Sequence, residues 1–244
     1  CTEWGSLRRL CSVLVVVGVL LCAGALQGAG AQGEGTKVRV HPDSRFWIQG
    51  EATTHEFTCV VDRVEGEATL PPPDDALSAV GDRSSRNEQQ PKAVVRVPVE
   101  AFDCGNSRMT ADLKESLQVE NHPTIRLELV HATVGEPVPE RPDWRRVEVL
   151  GTLTIAGKKR LRRIHLTGRA FGDERYRIRG CHPVRMTYFG IEPPTKAFGL
   201  IKVKNRVEVQ FDLLAHAGSL SPDSAFAQVP TDDRSRPACG EQGD

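Results

Sequence analysis

Apolar and polar residues alternate with a period of two along most of the chain beyond residue 36. Successive side chains of a strand point to opposite faces, so this period predicts strands with one apolar and one wet face. Val38 and Val40 alternate, and Phe46 and Ile48 flank Trp47. Phe57–Val64 is strand-like but changes phase at Val60-Val61, which predicts a bulge. Val95, Val97 and Val99 alternate with Arg96 and Pro98, and Pro98 predicts a sheet edge or a bulge. Ile125, Leu127 and Leu129 follow. Val147, Val149, Gly151, Leu153 and Ile155 form a long strand that turns at Ala156-Gly157-Lys158 and returns through Ile164, Leu166 and Gly168. Tyr176, Ile178 and Gly180 come next, and Val207, Val209, Phe211 and Leu213 give the clearest alternation of all.

One stretch has helical spacing. Thr110–Val119 places Leu113 and Leu117 at i, i+4, with Thr110 as the expected cap and Asn121-His122-Pro123 as the stop. The chain therefore reads as all-β: about eight antiparallel strands, mostly joined in sequence, with one short helix. Closing them into a barrel removes exposed edges. Alternation by itself fits a two-sheet sandwich equally. Residues 37–216 are expected to hold the domain. The Pro-, Asp- and Ser-rich segment 71–92 is expected to be a flexible loop, and 217–244 a disordered tail.

The first 31 residues have a different pattern. Arg8 and Arg9 precede an apolar run from Leu10 to Ala23, and small residues end at Ala29-Gly30-Ala31. A positive start, an apolar middle and a small-x-small site predict a secretory signal over residues 1–31, cut after Ala31. A retained membrane anchor is the alternative, and a lipoprotein signal at Cys22 a third. The expected location is the periplasm or cell envelope. The chain holds 32 basic and 32 acidic residues. So even a balance supplies no general field for nucleic acid, which is not expected as a partner.

Four cysteines lie beyond the leader: Cys59, Cys104, Cys181 and Cys239. No Cys/His set has zinc spacing, and no metal or cofactor is expected. Cys59 and Cys104 end strand-like stretches, and adjacent strand ends would pair them. The alternative is two free buried thiols. The spacing leaves the partners of Cys181 and Cys239 open.

Catalytic signatures are missing. There is no Gly-x-Ser-x-Gly elbow, no Gly-rich loop opening a helix and no His-Glu-x-x-His. The seven histidines are scattered. Cys181 and His182, as strand neighbours, would face opposite ways and so make a poor dyad. No enzyme activity is expected. The basic run Lys158-Lys159-Arg160-Leu161-Arg162-Arg163 reads either as a solvated hairpin turn or as a docking patch for an anionic head group or membrane surface.

Several segments, in order, resemble the YceI-like lipid- and polyisoprenoid-binding family. They are Thr53-Thr54-His55-Glu56-Phe57-Thr58-Cys59, Phe102-Asp103-Cys104-Gly105-Asn106 with Met109, and Asn121-His122-Pro123-Thr124-Ile125. Leu153-Thr154-Ile155-Ala156-Gly157 and the stretch from Phe189 to Gly199 leading into Val203–Leu214 complete the set. The likeness runs from Val38 to Ala215. Departures include Ala52 and Thr53 where the family often has Ser, and Tyr188 where an acidic residue is common.

The resemblance implies a lipocalin-like barrel with an isoprenoid or similar long-chain lipid in its bore. The expected lining is Phe46, Ile48, Val95, Val97, Val99, Leu127, Leu129, Val149, Leu153, Ile155, Ile164, Leu166, Val207, Val209 and Phe211. The alternative is a barrel with a filled interior that serves as a cell-envelope interaction module.

Overall fold

A computed structural model describes residues 36–70, 92–171, 175–196, 200–218 and Cys239. The expected signal segment therefore lies outside the described residues, as do all of the 71–92 loop except Lys92 and most of the 217–244 tail. Lys92 opens a strand, and Ala217 ends one, buried, rather than starting a tail. Among the described residues, no helix is long and apolar enough to cross a membrane.

The strands are β1 (Thr36–Val40), β2 (Arg45–Ala52), β3 (Glu56–Val61), β4 (Glu65–Leu70), β5 (Lys92–Pro98), β6 (Phe102–Asp103), β7 (Thr124–Val138), β8 (Arg141–Ile155), β9 (Lys158–Phe171), β10 (Arg175–Arg185), β11 (Thr195–Lys196) and β12 (Ile201–Ala217). All pairings are antiparallel. The order β1-β4-β5-β7-β8-β9-β10-β12 closes on itself where β12 pairs β1, Val38 opposite Ala217. That ring is a closed eight-stranded barrel.

The remaining strands extend the same staves. β12 pairs β1 with its end and β2 with its middle, Phe211 opposite Phe46 and Val209 opposite Ile48. β1 and β2 are thus one stave broken at residues 41–44. β3 and β4 form the next, β3 on β2 and β4 on β1, broken at residues 62–64 just after the expected phase change. β5 and β6 form the third, with a 3-10 turn at Val99–Ala101 between them.

Pro98 ends β5 because it has no N–H to give the ladder. Val99 consequently leaves strand geometry for the 3-10 turn, where it is almost fully buried. The β8–β9 hairpin turns on Ala156 and Gly157, both at positive φ, the geometry that matches the twist of paired strands.

The single helix, α1, spans Ser107–Ser116. It starts earlier than its apolar spacing predicts, and Thr110 does not cap it. Asn106 does: its side chain accepts the Met109 N–H at 3.0 Å. Thr110 Oγ1 instead accepts the N–H of Cys104 at 3.0 Å and ties the helix to the strand before it. Cys104 is bonded to Cys59, the expected pair, although Cys59 lies inside β3 and only Cys104 follows a strand end. Val60 and Val61 of β3 lie opposite Asp103 and Phe102 of β6, so the bridge continues an existing pairing. Beside it Val99, Phe102, Leu117, Ile155, Phe189 and Ile191 belong to one buried cluster, which packs the barrel next to α1.

Candidate functional site

Inside the barrel is a continuous cavity of about 2010 Å³. Ligand pockets for drug-sized molecules run to roughly 300–1,000 Å³, so this bore is suited to something longer. It exists because every stave sends alternate side chains inward and eight strands enclose more width than these side chains fill.

The walls can be followed strand by strand. Phe46 and Ile48 face the bore from β2, Val95 and Val97 from β5, and Leu127 and Leu129 from β7. β8 contributes Val149, Leu153 and Ile155, β9 contributes Ile164 and Leu166, and β12 contributes Val207, Val209 and Phe211. Val99 is the exception among the expected lining. The turn after Pro98 moves it into the packed cluster beside α1 and off the wall.

The wall also includes residues outside the expected lining. Ile178 and Val184 of β10 and Val38 and Val40 of β1 extend alternations present in the chain. Met109 and Leu113 come from α1, and Met186, Phe189 and Ile191 from the turn after β10. Those last five lie outside any strand period, so alternation gives no signal for them.

Apolar residues make up most of the wall, and charged residues join it at Arg39, Glu67, Arg108, Asp112, Arg169 and Arg177. His182 and Tyr176 face inward from β10 among aliphatic neighbours. Cys181, one residue before His182, is buried and bonded to Cys239 in a second disulfide. Among the described residues the one grouping of three metal-capable side chains is Cys181, Glu208 and Cys239. Two of its three donors are already joined in that disulfide, and metals bind the thiolate form.

A charged network joins β10 to β12, and Arg177, one of its members, also borders the cavity. Asp212 of β12 accepts from Arg177 Nε at 2.8 Å and Nη2 at 2.7 Å, and from Arg179 Nε at 3.1 Å. Burial pushes its carboxyl pKa up, but the hydrogen bonds and charges of the two guanidiniums outweigh burial and hold it below the usual aspartate value. Arg179 in turn lies under the Trp144 ring, 5.3 Å from its centroid. This network braces β10 against β12, and the bore is left with burial of apolar surface as its main chemistry.

The model of the YceI-like domain matches residues 38–215. A polyisoprenoid-binding domain from Saccharophagus degradans, implicated in plant cell wall breakdown, is similar in structure with a TM-score of 0.56 and 12% identity, covering 75% of this chain and 99% of that one. BcnA of Burkholderia cenocepacia is similar with a TM-score of 0.52 and 14% identity, covering 70% of this chain and 95% of that one. At such identities these likenesses speak to the fold. No curated protein matches the sequence.

Proposed function

Because the chain belongs to the YceI-like domain family, we propose that it carries a polyisoprenoid or similar long apolar chain in its bore. It acts by binding, not by catalysis. It works in the cell envelope after export, a reading that rests on the pattern of Arg8, Arg9 and the apolar run behind them.

The observation that carries this reading is the cavity itself, about 2010 Å³ and walled chiefly by aliphatic side chains. Burying one CH₂ group is worth about 0.8 kcal/mol, so a five-carbon isoprene unit contributes roughly 3–4 kcal/mol. Several units exceed an association cost of roughly 4–15 kcal/mol. A polyprenyl tail would bind without one hydrogen bond. The name of the Saccharophagus degradans domain points to the same ligand class. A filled interior, the alternative reading, conflicts with a cavity of this size.

The test is native mass spectrometry of the protein purified from a bacterial envelope, with organic extraction of bound material. A stoichiometric adduct that extracts as a prenyl chain or quinone is the expected result. Leu129→Arg and Val209→Arg place a charge on the wall, and each should abolish the adduct in a folded variant. A clean apo mass that polyprenyl lipids leave unchanged would overturn the reading. Export has its own check: N-terminal sequencing of the envelope protein should begin near Gln32.

A further inference from the structure

An even overall charge conceals one strongly basic region. Residues 158–163 and 185–206 together hold ten Lys and Arg against a single acid, Glu192, in a chain with equal totals of both signs. The fold brings residues 158–163 and 185–190 to the same end of the barrel. The first segment opens β9 after the hairpin turn, and 185–206 runs from the end of β10 through the 3-10 turn Met186–Phe189 into β12.

One aromatic ring joins them. Arg162 of β9 stacks over Tyr188 at 4.9 Å from the ring centroid, and Arg185 approaches the same ring at 5.6 Å. Two guanidiniums therefore share one ring at the surface. Lys158, Lys159 and Arg160 stand exposed beside them. Among the described residues no carboxylate pairs with Lys158, Lys159, Arg160 or Arg162. Farther from the tip the cations are answered: Arg163 by Glu148 at 3.4 Å, Lys204 by Glu51, and Arg206 by Glu208 at 4.0 Å.

Apolar side chains are set among these charges. Leu161 is 57% exposed and Tyr188 38% exposed. The tip thus combines cations with two exposed side chains that can leave water. Cations that reach phosphates, with a Leu and a Tyr between them, match the layered chemistry of a lipid head-group region. A polynucleotide would satisfy the charges but offers no apolar layer to Leu161.

We propose that this end of the barrel docks on an anionic membrane surface, through Lys158, Lys159, Arg160 and Arg162 with Leu161 and Tyr188 entering the head-group layer. The Met186–Phe189 turn makes the contact consequential. Tyr188 faces the docked surface, while its neighbour Phe189 is buried and lines the bore. The inference concerns where the protein sits and is independent of what the bore carries.

The experiment is co-sedimentation of the full chain with vesicles of phosphatidylcholine alone and of phosphatidylcholine mixed with phosphatidylglycerol. Binding is expected only to the mixed vesicles and should weaken as salt rises. Each Lys or Arg near such a surface is worth about five-fold in partitioning. The triple variant Lys158→Gln, Lys159→Gln, Arg160→Gln should therefore lose on the order of a hundred-fold, with an unchanged thermal melt. Leu161→Ser tests the apolar layer separately and should weaken binding at fixed charge. Equal binding to both vesicle types, retained binding by the triple variant, or preference for a single-stranded oligonucleotide over the mixed vesicles would each overturn the proposal. Failure here leaves the adduct measurement for the bore untouched, and the reverse also holds.

Discussion

The ring of Phe211 on β12 lies against Gly180, its direct partner on β10, so closely that a methyl group at position 180 would collide with it. The other side of Gly180 is closed by Leu166 of β9, whose Cβ would lie 3.1 Å from the added carbon. Glycine here is a seat for the aromatic ring and has no role in a turn. Gly180→Ala should force Phe211 out into the bore and lower stability by about 1–3 kcal/mol. A shift of the urea midpoint at constant m-value would register it, and an unchanged midpoint would show that the ring relocates freely.

The alternation that predicts the barrel is plainest where one face of a strand meets the bore and the other meets water. Leu127 and Leu129 against Arg126 and Glu128 are such a case, and so are Val207 and Val209 against Glu208. It fails where that contrast is lost. β4 presents Gly66 and Ala68 to the bore, because Val40 and Val95 crowd Gly66 from both sides, and small residues leave no apolar stripe. The outer face of β10 and β12 misleads in the opposite sense. Arg179 and Gln210 look solvated in sequence yet are each 4% exposed. The pairing of Cys181 with Cys239 is equally silent, since no strand period connects residues 58 apart. Val99 keeps the phase of Val95 and Val97 but follows a proline, and the turn that proline imposes overrides the phase.

The Cys59–Cys104 bridge closes a loop of 45 residues. In the chain-entropy model such a loop contributes about 4 kcal/mol by restricting the unfolded chain. Cys59→Ala with Cys104→Ala should lose most of that in guanidinium unfolding. The loss should leave bound lipid in place under conditions where the double variant stays folded, because Cys59 is one small residue of a long apolar wall and Cys104 is not part of that wall. Loss of lipid from a folded variant would show instead that the position of α1 sets the width of the cavity.

Asp212 gives the barrel wall a pH dependence of defined sign. Its carboxyl is held below the ordinary value of 3.8 by Arg177 and Arg179 against the opposing effect of burial. A group whose folded pKa is depressed contributes stability that is fully present above its unfolded value and is lost as pH falls through the folded one. Asp212→Asn removes the carboxylate that Arg177 and Arg179 share and should cost roughly 3 kcal/mol at neutral pH. The gap between wild type and variant should stay level down to about pH 5 and narrow below about pH 4. Unfolding curves across that range check both size and direction. A gap that widens toward acid would reverse the assignment.

The broken stave between β1 and β2 is held shut by one side chain. Ser44 Oγ accepts the N–H of Leu214 at 3.0 Å and donates to its carbonyl at 3.2 Å, and the His41 N–H reaches that same carbonyl at 2.7 Å. Ser44 thus does for Leu214 what a backbone partner would do in an unbroken ladder, and it is itself only 4% exposed. Ser44→Ala keeps the volume but strands the Leu214 N–H beside a methyl group, at a cost of about 1–3 kcal/mol for an unpaired buried donor. Hydrogen exchange locates the effect as well as sizing it. The Leu214 amide should lose protection, while Val209 and Phe211, which lie opposite β2 in continuous register, should keep theirs. Uniform loss along β12 would mean that the break at residues 41–44 governs closure of the whole barrel, and unchanged exchange at Leu214 would mean that water replaces the hydroxyl without penalty.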